Sequence, residues 1–431
     1  YERRFSGLRQ QEKILQDADW VTIAIYATLV VMGWANIFAS VYDESLNQSM
    51  FDLSLNSGRQ LMFIGVSVVL IIGIMAVDLR FFEAVSWAIY AVILFLVLLV
   101  PFIGKEVGGN KAWIGIGSFG GQPSEFAKFA TALVAARYIS SPLFKMDNLR
   151  QQATAFAIIL FPMALILLQK DWGTALVFSV FILVFYREGL SPILLLTGAG
   201  AAVIFLLTLL VTEHLYLHIG VAVVFLGIIL AGKKKIKRIL GLTLCALLIM
   251  SLIQSADYVL NNVLKPHQQN RIKALINPDA DPLGFGWNVT QSKIAIGSGG
   301  FFGKGFLKGT QTKFDFVPEQ DTDFIFCTIG EEHGWVGSLF VVGLFCGLFF
   351  RLLYLAERQK NRFSRVYIYS VVCILFFHFA VNIGMTIGLF PVIGIPLPFF
   401  SYGGSSLMGF TIMLFVAVKL DAHRGQVLQR I

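Results

Sequence analysis

Residues 265–337 read KPHQQNRIKALINPDADPLGFGWNVTQSKIAIGSGGFFGKGFLKGTQTKFDFVPEQDTDFIFCTIGEEHGWVG, the one long polar interruption in a chain otherwise apolar at membrane-spanning length. The stretch carries carboxylates (Asp279, Asp281, Asp315, Glu319, Asp321, Asp323), cations (Arg271, Lys273, Lys293, Lys304, Lys308, Lys313) and eight glycines between Gly284 and Gly309. A connection this long inside a compact fold is most often functional, so the chemistry is expected here. Around it, the 431 residues are 56% hydrophobic and only 14% charged, with 40 Phe and a mean hydropathy of +0.74. Soluble domains carry roughly 25% charged residues. The composition therefore excludes a soluble globular class and points to an all-α polytopic membrane protein.

A helix needs roughly 20 apolar residues to cross the hydrocarbon core. Runs of that kind give twelve spans, at about 19–40, 58–77, 84–104, 123–139, 152–170, 172–187, 191–212, 216–232, 237–258, 322–350, 366–388 and 400–420. With the N-terminus inside, the inner connections hold Arg80, then Arg137, Lys145 and Arg150, then Arg187. They also hold the Lys233–Arg238 cluster and the group Arg351, Arg358, Lys360, Arg362 and Arg365, with Arg424 and Arg430 in the tail. The first outer connection instead holds Asp43, Glu44 and Asp52. This is the bias of cationic loops toward the cytoplasm, and it places 259–321 outside, away from ATP. Arg3, Arg4 and Arg9 suit a cytoplasmic start without a cleaved leader. The net charge of +8 is read as this asymmetry rather than as nucleic-acid binding. Cys245, Cys327, Cys346 and Cys373 all lie in apolar runs, where free Cys acts as a small hydrophobe, so neither disulfide, metal site nor thiol chemistry is expected of them.

Polar groups within spans are expensive and are default functional candidates. Glu125 and Lys128, three apart, share one helix face. They form either a structural ion pair or the wall of an outward-facing cavity in which Lys128 meets a phosphate. Asp171, before Trp172 and Gly173, is a helix cap or a cavity group. Asn382 bonds a neighbouring helix or a ligand, and Arg59 is an outer cation against the general bias. The run GSGGFFGKG fails the P-loop pattern and reads as a flexible flap bringing backbone N–H groups and Lys304 near an anionic ligand. FPVIGIPLPFFSYGGSS (390–406) holds three prolines and three glycines at membrane depth. Such backbone is tolerated only where it faces protein or a cavity.

Taken together, NPDADPLGFGWNVTQSKIAIGSGGFFGKGFLKGTQTKFDFVPEQDTDFIF and GIPLPFFSYGGSS closely resemble the SEDS family of bacterial cell-wall polymerases. Weaker matches run through QPSEFAK, QKDWGTA, GRQL and NIGMTIGLFPV, so the resemblance covers nearly the whole chain. GKGFLKGTQ with FVPEQDTDF is similar to the RodA, or elongation, branch. The resemblance implies a peptidoglycan glycosyltransferase that joins lipid II units at the outer leaflet and releases undecaprenyl diphosphate. It implies that Asp281, in the D-P-L-G motif, is the essential loop aspartate. It also singles out Trp113, Glu125, Lys128, Asp171, Arg271, Gln291, Ser292, Lys293, Thr310, Gln311, Glu319, Thr322, Asp323, Asn382, Ser401 and Tyr402. Its implied partners are a class B penicillin-binding transpeptidase and other elongation-complex membrane proteins. Ala112 stands where the family usually has Arg before its tryptophan, with Lys111 one step earlier. Family members commonly have ten spans, which places an extra pair between about 191 and 258 of a single domain.

Transfer from an α-linked diphosphate to a β-linked glycan inverts the anomeric centre and suits a single displacement with one base. Asp281 is the candidate base for the acceptor hydroxyl. The leaving diphosphate needs cations, for which Lys128 and Lys293 rank first, followed by Lys304, Arg59 and Lys111. A divalent cation, Mg or Mn, is a further way to hold the diphosphate. A lipid flippase without covalent chemistry, or a scaffold for the transpeptidase, are the readings from other classes.

Overall fold

A computed structural model describes residues 17–42, 48–107, 110–116, 119–211, 214–231, 236–258, 262, 269, 285–314 and 316–424. The helices are α1 (Trp20–Val41), α2 (Asn56–Ala76), the short α3 (Leu79–Ala84), α4 (Ser86–Ile103), α5 (Pro123–Ile139), α6 (Leu149–Leu168), α7 (Trp172–Val177) and α8 (Phe181–Arg187). They continue with α9 (Pro192–Leu210), α10 (His214–Ala231), α11 (Ile236–Tyr258), α12 (Phe285–Ser298), α13 (Ile325–Glu357), α14 (Arg362–Thr386) and α15 (Gly404–Ala422). Each of the twelve expected spans coincides with helix. Eight of these helices are long and apolar enough to cross a membrane, and the chain is a multi-pass membrane protein. The fold is mostly helical, as expected, with one small addition. Between α4 and α5, β1 (Lys105–Val107), β2 (Asn110–Ile116) and β3 (Phe119–Gly121) form a small antiparallel sheet in the order β1-β2-β3. Its strands are too short and glycine-rich to announce themselves beside such long apolar runs.

The chain divides into two compact units. One comprises Tyr1–Gly189, Gln291–Ile387 and Ile393–Ile431, and the other Leu190–Thr290 with Gly388–Val392. In the second, α11 packs on both α9 and α10, and no residue of α10 is buried. In the first, α5 is buried almost all round. Its Ala127, Ala130, Ala132, Ala135 and Ala136 let α4, α6, α14 and α15 approach closely, as small residues do where helices associate in lipid.

One end of this unit is tied by ion pairs that use several of the cations behind the orientation reading. Asp19 caps α1 by accepting from Thr22 N and bonds Arg351. Glu188 takes Arg362 at 2.8 Å and Arg365 at 3.0 Å. Asp421 takes Arg358 and Gln359. Lys419 Nζ bonds the carbonyls of Ile74, Met75 and Val77, ending α2 with a cation where the helix dipole favours one.

Two breaks interrupt the helices at the other end. In α13, Gly334 has φ 64° and ψ −157°, a conformation open essentially to glycine alone. The break leaves Glu331 and Glu332 carbonyls and Trp335 and Val336 amides without helical partners. The glycine-rich run supplies all four: Lys304 N to Glu331 O (3.0 Å), Gly305 N to Glu332 O (2.9 Å), Trp335 N to Gly300 O (3.0 Å) and Val336 N to Phe301 O (3.1 Å). The second break, 393–403 before α15, is held by Tyr402 N on Asp321 O, Leu397 N on Ser401 Oγ and Gly403 N on Gln60 Oε1.

A Cβ on Gly334 would stand 2.3 Å from Gly303 N, whereas one on Gly343 meets nothing within 4 Å. Gly334→Ala is expected to cost about 1–3 kcal/mol from backbone strain alone. Gly343→Ala is expected to be neutral or to stabilise by up to about 1 kcal/mol. Thermal unfolding of the two purified variants in detergent checks the contrast.

Candidate active site

A polar cavity of about 380 Å³ opens where the small sheet, α5, α7 and the 393–403 segment meet. Trp113 on β2, Glu125 in the first turn of α5, and Asp171 and Thr174 at the start of α7 form one side. Glu319, Thr322 and Asp323 face them, with Tyr402 and Gly403 from the break before α15. Local chemistry explains each placement. Pro123 starts α5 and sets Glu125 in its first turn. Asp171 caps α7 by accepting from Thr174 N at 3.0 Å, and its other oxygen takes Gln122 Nε2 at 2.8 Å. Glu319, at φ 55°, turns the chain into the wall, and Thr322 Oγ1 donates to its carboxylate at 3.0 Å.

Glu125, Asp171, Glu319 and Asp323 are all carboxylates, and no Lys or Arg is among the cavity's described lining residues. Arg59, exposed in the first turn of α2, bonds the phenol of Tyr402. Among the described residues, no group of three or more His, Cys, Asp or Glu is placed to hold a metal ion.

The other expected residues fall into three places. Asn382 and Ser401 stand behind the wall. Asn382 Nδ2 bonds both Asp323 O and Ile395 O at 2.8 Å, stapling the two halves of the cavity together. Ser401 Oγ donates to Thr322 O at 2.6 Å. Lys128 is fully buried: its Nζ meets both Glu125 oxygens at 2.9 and 2.8 Å and His378 Nε2 at 2.9 Å, and lies 4.6 Å from the Phe410 ring centroid. With all three protons engaged, it acts as the structural ion pair and presents no donor to a phosphate. His378 Nδ1 bonds Pro396 O at 3.1 Å, which leaves Nε2 as the acceptor. Lys111 Nζ is occupied by Pro101 O at 2.8 Å, at the end of α4.

Lys304, Thr310 and Gln311 are gathered away from the cavity, around Glu331. The flap reading needs correction here: the amides of Lys304 and Gly305 donate to the backbone carbonyls of Glu331 and Glu332, and Lys304 Nζ, with the amides of 310–312 that follow the run, meets the protein's own Glu331 carboxylate. On α12, Ser292 Oγ donates to Thr386 O, Gln291 is buried and Lys293 is exposed. Asp281 lies outside the described residues.

Sequence reasoning passed over His378, Gln122, Glu331 and Lys419. His378 was within reach, since it precedes Asn382 by one helical turn on the same face. Glu331, as a carboxylate within a span, met the same criterion as Glu125.

The profile of the FtsW/RodA/SpoVE family of cell cycle proteins matches residues 19–219 and 187–426. The chain belongs to this family. It is 34% identical over 443 residues to the peptidoglycan glycosyltransferase RodA of Treponema pallidum, covering 95% of this chain and 99% of that one. It is 33% identical over 369 residues to the peptidoglycan glycosyltransferase MrdB of Escherichia coli K12, covering 85% of each. A solved chain described under structural coordination of polymerization and crosslinking by a peptidoglycan synthase complex is similar in structure. Its TM-score is 0.69 at 25% identity, over 95% of this chain and 99% of that one. The rod shape determining protein RodA of Thermus thermophilus shares the fold with a TM-score of 0.61 at 24% identity, over 95% of this chain and 98% of that one.

Breaking a buried ion pair costs about 3–5 kcal/mol, because it strands a buried charge. Lys128→Met is expected to lose stability on that scale. Adding Glu125→Gln to it is expected to recover part of the loss, since no stranded charge remains. Unfolding of the single and double variants by SDS titration measures both.

Proposed function

We propose that this chain is a peptidoglycan glycosyltransferase that polymerises lipid II into glycan strands during cell elongation. One observation carries the reading. Trp113, Glu125, Asp171, Asp323 and Tyr402, picked out by family resemblance from separate parts of the sequence, converge on one polar cavity. An acid-lined cavity with an indole and a phenol suits sugar hydroxyls and amides, which donate hydrogen bonds to carboxylates.

In the reaction, the acceptor hydroxyl oxygen forms a bond to the donor's anomeric carbon as the bond to the diphosphate oxygen breaks. The configuration inverts from α to β. Asp281 takes the hydroxyl proton as general base, and undecaprenyl diphosphate leaves as an anion. Among the candidate cations, Lys128, Lys304 and Lys111 are held on protein partners. Lys293 and Arg59 remain exposed, and Arg59 stands against a cavity residue. These two are assigned to the diphosphate, where charge develops in the transition state.

The chain is assigned to the bacterial inner membrane, with both termini cytoplasmic and the loop at 259–321 extracytoplasmic. The ion-paired basic end of the first unit supports this orientation through the cytoplasmic bias of cationic loops. A class B penicillin-binding transpeptidase is the proposed partner; the similarity to a chain of a peptidoglycan synthase complex supports it. The extra helix pair is assigned to 191–258, which the split of the family match at 187–219 supports.

The test is glycan polymerisation from purified lipid II with the partner transpeptidase present. The parent chain is expected to give polymer. Asp281→Asn, at matched yield and stability, is expected to give none. Equal polymer from both overturns the base assignment. No polymer from the parent, with lipid II crossing vesicle membranes instead, replaces the polymerase reading with a flippase.

A further inference from the structure

Glu331 is fully buried, and the chemistry proposed above does not use it. Its carboxylate is nonetheless the most heavily bonded group described in the chain. Oε1 accepts from Lys304 Nζ at 2.6 Å, Thr310 N at 2.7 Å, Gln311 N at 2.8 Å and Thr310 Oγ1 at 3.1 Å. Oε2 accepts from Thr312 Oγ1 at 2.8 Å and Thr312 N at 2.9 Å. Next to it, Glu332 accepts from the amides of Leu307 and Gly309. Successive amides of one loop thus close on two adjacent carboxylates, a concave anion cradle whose anion belongs to the chain itself. The fit is close: a Cβ on Gly309 would lie 3.0 Å from Glu331 Oε2 and 2.4 Å from Thr312 Oγ1.

The cradle leads to the cavity in a few residues. Phe316 N bonds Gln311 O at 3.1 Å, which fixes the chain just before the wall that carries Glu319, Thr322 and Asp323. In the other direction the loop continues from Gly299, where α12 ends. The four backbone bonds at the Gly334 break set the base of the loop, but none of them reaches 307–312. Side chains hold that far half: Glu331 takes the amides of 310–312, and Glu332 those of Leu307 and Gly309.

We propose that Glu331 is a positioning residue for glycan polymerisation: it holds loop 304–312 as an internal anion, and so sets the 319–323 wall of the cavity without touching substrate. The proposal rests on the polymerase reading for its kinetic part. Its structural part is read separately by hydrogen exchange.

Glu331→Gln keeps the size of the side chain but turns an N–H₂ group toward amide donors. In the full-length protein with its partner transpeptidase, amide protection across 307–312 is expected to fall at least tenfold. Protection in α5 and α14 is expected to remain. The kcat for polymer from lipid II is expected to drop at least tenfold, with KM changed less than threefold. Thr312→Val, which removes one hydroxyl donor, is expected to give smaller changes in the same direction, and it serves if the Glu331 variant does not fold. Glu331→Asp retains the charge and is expected to restore part of the protection and part of kcat together.

Unchanged protection at 307–312 overturns the clamp. Lost protection with parental kcat overturns its role in positioning, and so does loss of protection in α5 and α14 alongside the loop in both the Gln and Val variants. If the parent makes no polymer, the polymerase reading fails, and the exchange data alone decide whether Glu331 holds the loop.

Discussion

Inside a bilayer there is no water to satisfy a backbone amide or carbonyl, so every departure from helix must bring its own partners. The end of the first unit that carries the cavity is built around that constraint. Gly334 breaks α13, and the freed groups are taken by Gly300, Phe301, Lys304 and Gly305. The chain before α15 breaks again, and its amides and carbonyls are taken by Asp321, Ser401, Gln60 and Asn382. These breaks do what a continuous helix cannot. They aim carbonyls, amides and short polar side chains sideways into the bundle, where the carboxylate-lined cavity forms.

The membrane class and the positions of the spans were readable because apolar length is a one-dimensional signal, written in consecutive residues. The site was readable in part for another reason. Polar residues within spans carry a cost, so Glu125, Asp171 and Asn382 stood out from their neighbours, Asp323 and Tyr402 belonged to quoted motifs, and Trp113 was singled out by the resemblance. What sequence could not supply was pairing. Nothing in GSGGFFGKG says that the amides of Lys304 and Gly305 close on the carbonyls of Glu331 and Glu332, so it reads as a free loop until those partners are placed. Likewise, Lys128 beside Glu125 fits either an ion pair or a phosphate contact. The choice is made by His378, which lies 250 positions away and takes the third proton.

The small sheet illustrates the same limit from the opposite side. Its strands follow α4 directly, and Lys105 pairs with Trp113 in the antiparallel register. Strands of three and seven residues carry too little periodicity to be seen among helices of twenty. Yet the sheet is what puts Trp113 on the cavity, so a weak local signal positions a strong candidate residue.

The distribution of charge then divides the proposed reaction between two territories. The cavity is lined with carboxylates, and most of the nearby cations are consumed internally: Lys128 by Glu125 and His378, Lys304 by Glu331, and Lys111 by the end of α4. A diphosphate has little reason to enter such a cavity, because like charges repel and the lining offers no Lys or Arg to offset them. A glycan end, rich in hydroxyl and amide donors, has every reason to. The proposed reaction is then best served with the acceptor sugar in the cavity and the anionic leaving group at its edge, where Arg59 meets Tyr402. On this division, the base must reach the boundary between the two territories, and a carboxylate on the polar loop, such as Asp281, is carried by the one long segment of the chain free of the spans.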